Sequence, residues 1–326
     1  MPKVELHAHL GGSVENDTLR RLLKRKGLPN CNQLADKCII KGIDNVRTPS
    51  EQFEMFEIIG SVWDSEEETK LFTREFIQTC SKNNIIYAEL RTSGSSREKL
   101  LSILDTIDGC AKEYPTIIVR LVVSIKREWS LEVATRALEL AVELIPRGVV
   151  GIDFCGNVTC GTFTAFQPLF LQAAQHGLKA TIHFAESKDE MDLKEILAVG
   201  PARVGHACYL PEELTQHLKA NNIPVEACFA SNINTMKLWN GLKDHPVSRW
   251  REMGLHFVPC TDNYGILLSS LSDHYHMLHQ QLGATPEELW GIARNAVEYI
   301  FESEQVKQKL RNIFDNHPLN PINKGN

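Results

Sequence analysis

The chain has 326 residues, 43% of them hydrophobic and 23% charged, with a formal net charge of −6. That length supports a large core without disulfide staples, and the acidic balance argues against a nucleic-acid-binding protein, which carries a basic footprint. A small anionic substrate stays open, because a few local basic residues are enough to hold one phosphate.

Nine cysteines form no CxxC pair and no framework spacing. Cys155, Cys208, Cys228 and Cys260 fall inside apolar runs, as free buried thiols do in a reducing compartment. The start has no apolar signal segment and no run reaches membrane-spanning length, so a cytoplasmic protein without membrane contacts is expected.

In chain order, Val4–Leu10 reads as a short strand carrying His7 and His9. Gly11-Gly12-Ser13 breaks it, and a basic helical stretch follows over Asp17–Lys26. Asn30–Thr48 is irregular and reads as an insertion. Helical spacing resumes at Pro49 and again over Glu66–Ser81, where Ser65 followed by three glutamates is an N-cap with acidic residues in the first turn. A rhythm then sets in. Predicted strands at Ile85–Arg91, Thr116–Ser124, Val149–Gly156, Leu178–Glu186, Arg203–Tyr209, Ile223–Phe229 and Leu255–Asp262 alternate with helices. Those helices fall at Arg97–Glu113, Leu131–Ile145, Phe163–His176, Glu190–Ala198, Glu212–Ala220, Pro246–Met253 and Leu267–Leu282, and Pro286–Phe301 and Glu304–Phe314 add more. With the first strand the count is about eight. Such alternation implies right-handed βαβ units and a parallel sheet. The expected fold is therefore α/β, a single (β/α)8 barrel with additional helices, forming one domain over residues 1–326.

Active sites of such barrels lie at the C-terminal ends of the strands, so the residues there carry the chemistry. Alternate side chains of a strand share a face, which brings His7 and His9 together, and neutral imidazole suits zinc or iron. Further along, strands end in Thr181-Ile182-His183-Phe184-Ala185-Glu186, Val204-Gly205-His206-Ala207 and Pro259-Cys260-Thr261-Asp262-Asn263. Five of these residues (His7, His9, His183, His206 and Asp262) are metal-ligand types, and Glu186 is a candidate acid or base. Any one of them alone would be an ordinary hydrogen-bonded polar residue. Four strand ends of the right types on one rim outweigh that reading. His274 and His276 form a second His-x-His, but in a helical setting where i and i+2 do not face each other.

The segments HAH, HFAE, VGHA and CTD, in this order on successive β/α units, resemble the adenosine deaminase family of zinc aminohydrolases over nearly the whole chain. The details are most similar to its adenosine deaminase-like branch, the N6-methyl-AMP deaminases. They include the start PKVELHAHL, Phe53-Glu54-Met55-Phe56, Tyr87–Thr92, Gly151-Ile152-Asp153-Phe154 and Tyr299-Ile300-Phe301. The resemblance implies one Zn²⁺ per chain on His7, His9, His183 and Asp262, with room left for a water. It implies hydrolytic loss of the group on C6 of a purine, with Glu186 as proton donor to ring N1 and His206 orienting the water. It also implies base contacts from Gly156 and Asn263. The substrate would be a small purine nucleotide or nucleoside and the protein a monomer.

Two departures bear on substrate. Asn263 stands where the family usually has a second aspartate, and Gly11 stands where it has Asp or, in the methyl-AMP branch, Asn. An amide still donates to a ring nitrogen, and a missing acid removes repulsion against a phosphate. Candidate phosphate contacts are Arg91, Thr92 and Ser93 at one strand end, with Ser124, Lys126 and Arg127 at the next. The expected reaction is N6-methyl-AMP to IMP. Deamination of free adenosine is the alternative within the family. A metal phosphoesterase would need more carboxylates, and a non-catalytic purine binder is suggested only by Asn263.

Overall fold

A computed structural model describes residues 1–40, 49–188, 191–236 and 241–321. Eight strands pair in sequence order, all parallel: β1 Lys3–His9, β2 Ile85–Ser93, β3 Ile118–Lys126, β4 Val149–Cys155, β5 Lys179–Phe184, β6 Arg203–His206, β7 Val225–Ala227 and β8 Phe257–Pro259. The sheet curls into a nearly closed barrel. At its seam β1 meets the end of β8 through the Ala8–Asp262 bridge, with His9 N–H donating to the Asp262 carbonyl at 2.8 Å and Asp262 N–H to the His7 carbonyl at 2.7 Å.

Helices fill the connections: α1 Asn16–Arg25, α2 Cys31–Lys37, α3 Pro49–Ser61, α4 Glu66–Lys82, α5 Arg97–Cys110, α6 Leu131–Glu143, α7 Phe163–Gln175, α8 Leu193–Ala198, α9 Glu212–Ala220, α10 Phe229–Met236, α11 Val247–Met253, α12 Tyr264–Leu267, α13 Leu271–Leu282, α14 Pro286–Asn295 and α15 Glu304–Asp315. Their starts are set locally. Ser65, Ser96, Ser130, Ser270, Thr285 and Ser303 each accept a backbone N–H with the side-chain oxygen, satisfying donors that the first turn leaves orphaned.

Several boundaries differ from the sequence reading, for physical reasons. The insertion contains α2, and residues 41–48 of it lie outside the described residues. The sixth strand stops at His206 because His206 and Ala207 take left-handed φ of 62° and 51°. The apolar run after Val225 splits into three strand residues and the helix from Phe229, a division that hydrophobicity alone does not mark. Leu268, at φ 49°, divides the stretch read as Leu267–Leu282. The segment read as Glu190–Ala198 is helical from Leu193, with residues 189–190 outside the described ones. Past Asn295 the tail tightens into a 3₁₀ turn, then extends so that Phe301 N–H donates to Glu89 at 2.6 Å.

Strand alternation sorts the side chains. Val4, Leu6 and Ala8 face the helices, while Glu5 and His7 face inward. The barrel interior is accordingly polar. Arg203 lies between Glu89 and Glu226, with its guanidinium 3.5 Å from the centre of the Phe301 ring. Arg91 lies between Glu226 (2.9 Å) and Asp153 (3.3 Å) and also donates to the Leu6 carbonyl. Ions buried this deeply persist only when paired and hydrogen-bonded.

Candidate active site

Above that ionic layer, four histidine rings crowd at the C-terminal mouth. Centroid separations are 5.2 Å for His7–His9, 4.6 Å for His7–His183, 4.9 Å for His7–His206 and 5.0 Å for His183–His206. The seam bridge brings Asp262 to them, its Oδ1 3.6 Å from both His7 Nε2 and His9 Nε2. His9 Nε2 and His183 Nε2 are 3.2 Å apart. Three of the strand-end residues here, Ala185, His206 and Asp262, take left-handed φ of 51°, 62° and 61°. Such backbone is costly for residues with a Cβ and gathers where side chains must be aimed at a site.

Hydrogen bonds from below fix the rings. His7 Nδ1 donates to Glu226 at 2.7 Å and His183 Nδ1 donates to Asp153 at 2.9 Å. With the hydrogen on Nδ1, each ring in its neutral form has its Nε2 lone pair turned toward the others, and on His183 a metal ion would take the place of the second proton that Asp153 favours. His7 Nε2 is fully buried and has no hydrogen-bond partner. A buried polar atom left unmatched costs about 1–3 kcal/mol, and this one lies 3.6 Å from Asp262 Oδ1, an arrangement that fits two ligands of one metal ion. Carboxylate–histidine pairs of this kind are the usual outer support of metal-ligating histidines.

The electrostatics agree. Burial opposes a positive charge on His183, yet Asp153 outweighs it and holds the ring pKa up to about 9. Burial likewise pushes the Asp153 carboxyl upward, but His183 and Arg91 keep it well below the usual range. A cation is favoured at this point. His7, by contrast, is driven well below the normal imidazole range by burial and then by Arg91, so it remains a neutral donor of its lone pair. Among the described residues, His7, His9 and His183 form one group with ligand atoms within 4.8 Å of each other; His183, Glu186 and His206 form a second, and His7, His206, Cys228 and Asp262 a third. The donor set fits a divalent ion such as zinc.

Glu186 stands on the open side, its Oε2 3.6 Å from His206 Nε2. Asn263 donates through Nδ2 to Asp262 Oδ1 at 2.7 Å and packs on Gly12, where a Cβ would fall 1.8 Å from Asn263 Oδ1. Gly156 follows β4 at φ +106°, a conformation that favours glycine, and a Cβ there would meet Glu128 at 2.3 Å.

The phosphate candidates separate. Arg91 is not on the rim: it is wholly buried beneath the histidines and its guanidinium is spent on Glu226, Asp153 and Leu6. Its parity with inward-facing Glu89 turns it into the barrel. Ser124 donates to Asp153, and buried Arg127 packs on Phe154 and pairs with Asp192 at 3.4 Å. Thr92 is buried, while Ser93 and Lys126 are partly exposed at strand ends. The sequence reading missed Glu226 and Asp153 as supports. Glu226 and Asp153 were visible only as inward positions on strands without an obvious partner.

A family model described as adenosine deaminase matches residues 2–317. The chain belongs to the adenosine deaminase family. It is a purine aminohydrolase by that membership. An N6-mAMP deaminase of Arabidopsis thaliana is 31% identical, the match covering 97% of this chain and 96% of that one. An N6-methyl-AMP deaminase of Danio rerio is 32% identical, covering 95% and 93%. The crystal structure of the Arabidopsis deaminase-like protein complexed with IMP superposes with a TM-score of 0.88 over 96% of each chain, at 31% identity. Among the described residues of this deaminase, no helix is long and apolar enough to cross a membrane.

Proposed function

We propose that this chain is a zinc-dependent hydrolase of 6-alkylamino purine nucleotides, converting N6-methyl-AMP and water to IMP and methylamine. The observation that carries the reading is the convergence of three imidazole Nε2 atoms and Asp262 Oδ1, with the Nδ1 atoms of His7 and His183 held by Glu226 and Asp153. His7, His9, His183 and Asp262 would hold one Zn²⁺. Bound there, zinc lowers the pKa of a water from 15.7 toward ~7 and so supplies a nucleophile near neutral pH.

The other steps belong to the chain's own residues. Attack at C6 puts electron density on ring N1, and Glu186 on the open side is placed to deliver a proton to it. His206, 3.6 Å from Glu186, faces the incoming oxygen. The Gly156 backbone and Asn263 orient the base. Relatives with the same overall reading are N6-methyl-AMP deaminases, and one such protein is known complexed with IMP.

The phosphate end is assigned to Lys99 and to Lys126, which ends the strand paired with the one carrying Thr92 and Ser93. Neither lysine has a carboxylate within 4.0 Å among the described residues, and Lys99 instead lies 3.0 Å from the centre of the Trp63 ring. Burial, together with Lys126, lowers the Lys99 pKa to about 8. Trp63 occupies the space beside Gly11, where a Cβ would lie 3.2 Å from its ring. Two ammonium groups without a counter-ion at this end of the site favour an anionic substrate over a free nucleoside. All nine cysteines are free, which supports a reducing, cytoplasmic setting.

The test is a spectrophotometric deamination assay of the zinc-loaded protein on N6-methyl-AMP, AMP and adenosine. IMP from N6-methyl-AMP is the expected product. Preferred turnover of adenosine would move the protein to the nucleoside reading, and no turnover of any of the three with zinc bound would overturn the proposal.

A further inference from the structure

His206 is held from behind by a hydrogen-bonded chain that decides which of its nitrogens carries hydrogen. Its Nδ1 lies 2.9 Å from Asn232 Oδ1, on α10. Asn232 Nδ2 lies 3.0 Å from His245 Nε2, and His245 Nδ1 accepts from the Val247 backbone N–H at 3.0 Å. Asn232 and His245 are completely buried.

The polarity of this chain follows from its fixed end. A peptide N–H only donates, so His245 Nδ1 must offer a lone pair. Burial, with His206 nearby, lowers the His245 pKa to about 3, so its ring is neutral and its single hydrogen sits on Nε2. That hydrogen must meet an oxygen, and the amide has one. With Nδ2 on that side two donors would face each other; amide oxygen and nitrogen are assigned from their network, and here the network exchanges the two, setting Asn232 Oδ1 on the His245 side. The NH₂ group then faces His206 Nδ1, which must accept. The hydrogen of a neutral His206 is left on Nε2, the atom directed at Glu186 and the reaction space.

We propose that Asn232 and His245 are positioning residues that hold His206 as the Nε2–H tautomer, so that it presents a hydrogen-bond donor to the oxygen entering the site. Its contribution is to stabilise negative charge on that oxygen rather than to remove a proton from it. The polarity is opposite to that of a Ser-His-Asp triad, where a carboxylate accepts from Nδ1–H and leaves Nε2 as a base. The nature of the entering oxygen rests on the deaminase reading; the tautomer does not.

The experiment is ¹⁵N NMR of the zinc-loaded full chain with labelled histidine, the His206 signals being identified by their loss in His206→Gln. Wild type should show a protonated Nε2 and a bare Nδ1. Asn232→Asp offers only acceptors and should move hydrogen to Nδ1, with kcat reduced on the order of 10²–10⁴-fold, the scale of a wrong tautomer, while KM and zinc content stay within about twofold. His245→Phe keeps the ring packing but frees the amide, and should give mixed His206 signals. A wild-type His206 protonated at Nδ1 overturns the inference, and that spectrum decides it even if a variant fails to fold. Loss of the deaminase reading would appear separately, as a folded, zinc-loaded wild type without turnover.

Discussion

Replacing Glu226 by glutamine probes the support beneath the histidines most directly. Its two oxygens receive four donors: His7 Nδ1 (2.7 Å) and Arg91 (2.9 Å) at Oε2, and Thr181 (2.8 Å) and Arg203 (2.6 Å) at Oε1. An amide has one acceptor oxygen, so in either orientation its NH₂ is set against two donors. Two hydrogen bonds involving charged groups are lost, at about 1.5–3 kcal/mol each, and among the described residues the two buried arginines keep Glu89 and Asp153 as their ion-pair partners. Breaking one partner of a buried ion network costs about 3–5 kcal/mol, which agrees with the first figure. His7 also loses the carboxylate that fixes its tautomer, for which a 10–100-fold loss of metal affinity is expected. Urea unfolding of the metal-free protein reads the first effect, and zinc titration against a chelating indicator reads the second. If Glu226→Gln is within about 1 kcal/mol of wild type in stability and within twofold in zinc affinity, the buried carboxylate is not what supports the site.

Other perturbations test separate parts. His274 is completely buried against Phe229 with neither ring nitrogen hydrogen-bonded, and burial lowers its pKa from 6.5 to about 4. The unfolded chain therefore binds the proton more readily, so this stability is full above pH 6.5 and is lost as pH falls through about 4. By linkage the loss is about 2 kcal/mol at pH 5, and His274→Phe should reduce the difference in urea midpoint between pH 7 and pH 5 accordingly. Gly12→Ala would push a methyl group into Asn263 and displace the amide that braces Asp262; kcat/KM should fall at least tenfold with the unfolding midpoint little changed, and unaltered kinetics would remove Asn263 from the site. Lys99→Met and Lys126→Met should each lower kcat/KM for N6-methyl-AMP by about tenfold, the scale of one charged hydrogen bond. Turnover of N6-methyladenosine should be unaffected, so an equal loss on both substrates would count against a phosphate role.

The sequence disclosed the parts of the fold that are written locally. Ser65 before three glutamates is the cap it resembles, and each histidine-bearing strand end lies on one rim because parallel strands all finish at the same mouth. Strand parity was equally legible but easy to misjudge near an end. Arg91 reads as a rim residue until its buried ion pairs with Asp153 and Glu226 show it lying inside the barrel. Asn232 and His245 carried no signal at all, because their partnership with His206 joins the start of a helix to an irregular segment, and no periodicity links such positions. The apolar run from Ile223 was ambiguous for another reason: a buried strand and a buried helix are equally apolar.

The seam between β1 and β8 has a consequence for how the molecule comes into being. Two of the four proposed zinc ligands lie at the start of the chain and one lies beyond the last strand, so nearly the whole polypeptide must be made before they meet. A nascent chain displays His7 and His9 first, as a two-ligand site too poor to retain an ion firmly. The barrel must close before tight loading becomes available, and such long-range closure is slow. The proposed ion would act as a clasp across a joint held otherwise, among the described residues, by one backbone bridge and the hydrogen bonds from Thr261 to Glu5. Chelation should therefore loosen the chain's two ends before it disturbs the strands in between.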